Sequence, residues 1–68
     1  MEKIISIEGM SCEHCVKAVT NALKEVEGVE EVKVSLEEKN AVVKGNNLDD
    51  EKLKGAVEEA GYDVVNIK

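Results

Sequence analysis

From Lys3 to Glu8 apolar and polar residues alternate, with Ile5 and Ile7 on one face and Ser6 and Glu8 on the other. That is the period of a strand with one face buried. Gly9 breaks the alternation, and Ser11 is the expected N-cap of the helix that follows. Beyond Cys15 the apolar positions Val16, Val19, Ala22, Leu23 and Val26 fall three and four apart, as one helical stripe requires. Lys17, Asn21, Lys24 and Glu25 take the wet side, and Gly28 is expected to end the helix in a left-handed conformation.

The alternation then returns. Val32, Val34 and Leu36 face one way and Lys33, Ser35 and Glu37 the other, which predicts a second strand. Residues 37–40 read as a hairpin turn, and Ala41 to Lys44 as the return strand with Ala41 and Val43 inward. Gly45-Asn46-Asn47 reads as a loop. Asn47 or Asp49 can cap a second helix, whose early acids Asp49, Asp50 and Glu51 suit the positive end of its dipole. Leu53, Ala56, Val57 and Ala60 form its stripe, Gly55 weakens it by about 1 kcal/mol relative to alanine, and Gly61 ends it. Tyr62 to Ile67 is the last strand, and the adjacency of Val64 and Val65 leaves its inward face open. Strand, helix, strand, strand, helix, strand is the α+β, ferredoxin-like βαββαβ order: a four-stranded antiparallel sheet with two helices on one face.

Sixty-eight residues make a single domain with one core. A chain of this size buries only about 60% of the surface that its unfolded form exposes. Tyr62 is the one aromatic residue, so the core must be built from Ile, Val, Leu and Ala. The longest apolar runs are too short to span a membrane, and no basic stretch precedes an apolar one as in an export signal. Nine lysines against fifteen acids give a formal net charge of −6, a poor match for nucleic acid phosphates. The excess of acids serves solubility, or forms a face for a basic protein surface; the sequence does not separate the two.

Both cysteines lie in Gly9-Met10-Ser11-Cys12-Glu13-His14-Cys15, where the strand pattern gives way to the helix pattern. Two thiols without an export signal point to a reducing, cytoplasmic setting and to metal-binding or reactive sulfur rather than a disulfide scaffold. Thiolates are soft ligands and favour Cu(I), with Zn(II) and other thiophilic ions behind. A closed zinc site wants four ligands, and His14, set between the thiols, diverges from them on a helix. Two thiolates suffice for a low-coordinate Cu(I) site that stays open to an incoming thiol. The helix N-terminus favours thiolate, at Cys15 above all, while Cys12 keeps the freedom to swing. A pair of small buried hydrophobes and a thioredoxin-type redox couple are the competing readings. The second lacks the expected flanking Trp and Pro.

The Gly-Met-x-Cys-x-x-Cys segment resembles the signature of heavy-metal-associated domains. The resemblance runs on through Val16, Ala18-Val19, Gly28-Val29, Val32-Lys33-Val34 and Ala60-Gly61-Tyr62, nearly the whole chain. Within that family His14, Tyr62 and the absence of an acid before Cys12 are most similar to the small bacterial copper chaperones. The resemblance implies that Cys12 and Cys15 ligate Cu(I) and deliver it to a copper-transporting P-type ATPase, and in some organisms to a copper-responsive repressor. It implies a monomer without metal, and a dimer that copper can bridge. Met10 is a thioether ligand or, as is usual in the family, a core residue under the loop. His14 tunes thiol acidity or ligates in a copper-bridged dimer. Tyr62 covers the site, its hydroxyl able to donate to a thiolate, or is an ordinary core tyrosine.

Three further readings stand beside this one. The chain is a metal-binding domain of a copper ATPase, against which its start at Met1 and its end after the fourth strand are set. It is a mercury scavenger, whose relatives are usually exported. Or it is a thiol oxidoreductase. No enzyme activity is expected, since nothing beyond the thiols forms a nucleophile, base and oxyanion arrangement.

Overall fold

The computed structural model describes residues 1–68 and contains β1 (Glu2–Glu8), α1 (Glu13–Lys24), β2 (Val29–Ser35), β3 (Asn40–Gly45), α2 (Asp50–Glu59) and β4 (Asp63–Ile67). The four strands form one antiparallel sheet in the order β2-β3-β1-β4. β1 pairs with β3 so that Ile5 meets Ala41 and Lys3 meets Val43. Ile5, Ile7, Ala41 and Val43 therefore share a sheet face, and all four are buried. Val19 and Leu23 of α1 and Leu53 and Val57 of α2 join them in one core cluster, so both helices pack on that face. The other face is wet. It carries Glu2 and Lys44, whose charged groups lie 3.9 Å apart, and the part-exposed Ile4. The core is aliphatic throughout, as the composition requires.

The element order and the inward residues agree with the sequence pattern. Several element ends differ, among them the start of β4, which begins at Asp63 and leaves Tyr62 in the turn after α2. Helix α1 stops at Lys24 with Glu25 as its C-cap, short of Val26 and Gly28. Val26 still packs on the core, from a turn, and Gly28 takes its positive φ of 90° in that turn rather than at the helix end. Leu36 leaves β2 for the hairpin turn yet still packs on the core. Gly45 is the last residue of β3 and is buried there, rather than opening the loop.

Pairing with β1 settles the inward face of β4, which the pattern of the chain left open. The β1–β4 register runs Ser6 to Asn66 and then Ile7 to Val64, so Val65 is an extra residue in a bulge. Val64 and Ile67 both reach the core, and Val65 is 57% exposed. Adjacent valines look ambiguous under a strict alternation because a bulge suspends it.

Asp49 is the N-cap of α2: its side chain accepts the Glu51 amide at 2.9 Å. Lys3, half-buried at the edge of the core face, reaches Asp50 in the first turn of the same helix at 3.2 Å. At the other end α2 closes with Gly61 at φ 98°. The Gly61 amide bonds the Glu58 carbonyl at 3.0 Å and the Tyr62 amide bonds the Val57 carbonyl at 3.2 Å. This paired closure is the Schellman motif, and it needs a residue that tolerates left-handed backbone. Its consequence lies outside the helix, because it fixes where Tyr62 leaves the chain.

Candidate metal centre

The sharp turn from β1 into α1 sets the two thiols. Helix α1 begins at Glu13, and the N-cap is Cys12, with extended backbone (φ −156°, ψ 173°), not Ser11. The reason is local. The Cys12 carbonyl accepts the Cys15 amide at 3.0 Å and the Val16 amide at 3.3 Å, so the first turn closes on Cys12. The cap position thus carries a thiol where helices usually carry a hydroxyl, and the Cys12 side chain caps no amide. Its sulfur is left free for other partners. Ser11 lies one residue outside the helix and is exposed.

Cys12 Sγ and Cys15 Sγ are 3.6 Å apart, both as free thiols, Cys12 exposed and Cys15 half-buried. At a metal–sulfur distance of about 2.3 Å, sulfurs 3.6 Å apart would grip an ion at a bent S–metal–S angle of roughly 100°. A linear pair of such bonds needs the sulfurs about 4.6 Å apart, an opening of about 1 Å. Cys12, on the extended cap residue, is the more exposed of the two. The bent geometry leaves the outer side open to a third sulfur. No group of three or more His, Cys, Asp and Glu side chains converges anywhere in the molecule.

The surroundings favour thiolate at Cys15, lowering its pKa from 9.0 to about 6. The main-chain N–H of Ser11 is the largest cause, followed by the Tyr62 hydroxyl and the Cys12 main chain; burial opposes them. The Tyr62 hydroxyl stands near the sulfur without a well-formed hydrogen bond to it, and its influence is read in the acidity of both groups. Tyr62 is itself raised above its ordinary value, first by the Cys15 contact, then by burial and by the charge of the two cysteines. The same tyrosine lies against the loop. A Cβ at Gly9 would meet Tyr62 Cδ1 at 3.4 Å, and Gly9 has a φ of 99°. Glycine there gives the loop its backbone and the ring its seat.

Each residue singled out in the sequence can now be placed. Met10 is 7% exposed and belongs to the core cluster, under the loop. His14 is exposed on the second residue of α1, one step around the helix from Cys15. Tyr62 is half-buried beside Cys15. Ser11, expected beside the site as an N-cap, acts there instead through its main chain, the chief influence lowering Cys15.

Residues 4–63 match the heavy-metal-associated domain. The chain belongs to that family. Among its relatives, the copper chaperone CopZ of Staphylococcus epidermidis is 48% identical over 65 residues, covering 93% of this chain and 96% of that protein. A probable copper-exporting P-type ATPase of Archaeoglobus fulgidus is 39% identical over 67 residues, 96% of this chain but 8% of the ATPase. A solved CopZ metallochaperone superimposes with a TM-score of 0.91 at 39% identity, over 96% of this chain and all of that one. This member of the heavy-metal-associated family has the same βαββαβ architecture as that structure. No helix in it is long and apolar enough to cross a membrane.

Proposed function

We propose that the chain is a Cu(I) carrier of a reducing cytoplasm, its 68 residues acting as one domain. Cys12 and Cys15 hold one Cu(I) through sulfur and pass it to the metal-binding domain of a copper-transporting P-type ATPase. The observation that carries this reading is the pair of free sulfurs 3.6 Å apart at a helix N-terminus, one exposed and one acidified. The names of the copper chaperone and copper ATPase relatives support the choice of metal and recipient.

Transfer is ligand exchange, not catalysis. A thiolate of the recipient enters on the open side and becomes a third ligand. The Cu–S bond to Cys12, the more exposed of the two, breaks first, and a second recipient thiolate then replaces Cys15. Copper stays Cu(I) throughout. Each incoming thiol releases a proton and each leaving cysteine can take one up. Cys15, already inclined to thiolate, anchors the ion until the last step. Tyr62 shields that sulfur from one side, Met10 holds the loop from beneath, and His14 sits on the solvent side. A copper-bridged pair of chains, with His14 near the shared ion, and delivery to a copper-responsive repressor use the same open face.

The test is transfer itself. The copper-loaded chain is mixed anaerobically with the metal-free N-terminal domain of a copper ATPase, and the two are separated by charge. Copper should divide between them within seconds, at a rate proportional to recipient concentration. Copper that stays with the donor, or leaves at a rate independent of the recipient, contradicts direct exchange.

A further inference from the structure

The largest groove of the molecule is not at the thiols. It runs between α1 and α2, with a volume of about 850 Å³ and a floor of Ala18, Ala22, Val26, Gly55 and Ala56. It is open to solvent along the helices, so a small ligand lying there would stay largely wet. A shallow, small-residue trough between two helices fits the ridge of a third.

Two local rules are broken in this groove, and neither breach serves the fold. The first is Gly55, inside α2. A Cβ there would meet nothing within 4 Å, and the residue needs no positive φ. Alanine would fit and would strengthen the helix, so glycine only keeps the floor low. The second is charge. Glu25 and Glu59 stand on the rim with Glu27, against the single base Lys52. Glu59 closes α2, whose last turn has no basic residue, and Glu25 is the C-cap of α1. Both therefore face the negative end of a helix dipole, where cations are favoured. The molecule's two ion pairs, Lys3–Asp50 and Lys44–Glu2, involve none of these groups. Breaches of local consistency that meet at one surface mark a site of use.

We infer that the α1–α2 groove is a docking site for a basic amphipathic helix of a partner protein, its apolar ridge on Gly55 and the alanines and its cations against Glu25, Glu27 and Glu59. Charge selects the occupant. A second copy of this chain would bring acids onto acids, whereas a lysine-bearing helix answers the rim and both helix ends. Ala18 lies one turn along α1 from Cys15, so a helix seated here holds its owner beside the thiols. The inference does not depend on which metal the thiols carry, because none of the groove residues is a thiol.

The experiment uses a designed helical peptide with a leucine–alanine face and a lysine face, and a control with glutamate in place of lysine. Both are titrated into the isotope-labelled protein and followed by amide shifts. The lysine peptide should move the amides of Ala18, Ala22, Gly55 and Ala56. Gly55→Leu should weaken it by about tenfold or more, and Glu25→Gln with Glu59→Gln by up to about tenfold at low salt, the loss vanishing at high salt. Gly55→Ala should raise the melting temperature by about 4–8 °C while weakening the peptide, which shows that a lost affinity is not a lost fold. Copper stoichiometry, measured on the same variants, should not change, so a failure of the metal reading appears separately. Equal binding of the glutamate peptide, unchanged affinity in Gly55→Leu, shifts outside α1 and α2, or self-association through this face without peptide would each overturn the inference.

Discussion

At Cys15 the acidity can be read directly by isolating it in Cys12→Ser, since the Cys12 side chain is the smallest of the influences that lower it. The Ser11 main chain and the Tyr62 hydroxyl, which are larger, remain. With a pKa of about 6, about 90% of Cys15 is thiolate at pH 7, against about 1% at its ordinary value. Rate alone discriminates poorly, however. A weakly basic thiolate is a poorer nucleophile, here by roughly 15- to 30-fold for a Brønsted slope of about 0.4–0.5. The net gain at pH 7 over an ordinary thiol is then only about three- to sixfold. The discriminating readout is the midpoint. Exchange with a pyridyl disulfide, followed from pH 4 to 10, should rise to a plateau with a midpoint near pH 6 and stay flat above pH 7.5. Tyr62→Phe should move the midpoint up without restoring it to the ordinary value, because the Ser11 amide is the larger cause. A midpoint between 8.5 and 9 in the tyrosine-bearing protein would refute the reasoning. The same depression links to stability: the thiolate's contribution is full above the unfolded thiol's pKa and is lost as pH falls through about 6.

Three further outcomes follow from the geometry. Gly45→Ala places a Cβ against the Gly28 carbonyl oxygen and main chain, which cannot yield like a side chain; it should cost about 3 kcal/mol or more in urea unfolding. Asp49→Ala removes the cap bond to the Glu51 amide and should cost about 1 kcal/mol, with Asp49→Asn recovering most of it. Met10→Leu exchanges one buried side chain for another of similar volume; it should cost under about 1.5 kcal/mol and leave copper affinity within about threefold, whereas a larger loss of affinity would return the thioether to the metal.

The alternation in β1, β2 and β3 and the two helical stripes were legible because each element buries a single face, and the period of its apolar residues is then the period of its backbone. The inward positions Ile5, Ile7, Val19, Leu23, Ala41, Val43, Leu53 and Val57 came out as expected for that reason. The β4 face did not, since the Val65 bulge depends on pairing with β1 and leaves no local mark. The end of α1 was hidden too. Val26 continues the stripe, yet the chain turns at Glu25, and only the packing of the turn shows this. At the site, the cysteine spacing and the seat of Tyr62 after Gly61 were readable. The cap role of Cys12 and the aim of the Ser11 amide were not, because they follow from which carbonyl closes the first turn.

The central claim is that Cys12 and Cys15 together hold one Cu(I). Its most direct test is an anaerobic titration of the fully reduced protein with Cu(I) against a chromogenic chelator, run beside Cys12→Ser/Cys15→Ser. The account predicts one copper per chain taken from the chelator, and none by the double variant, which should still unfold cooperatively because neither thiol belongs to the buried core. Copper left with the chelator by the parent, or taken equally by the double variant, would contradict it.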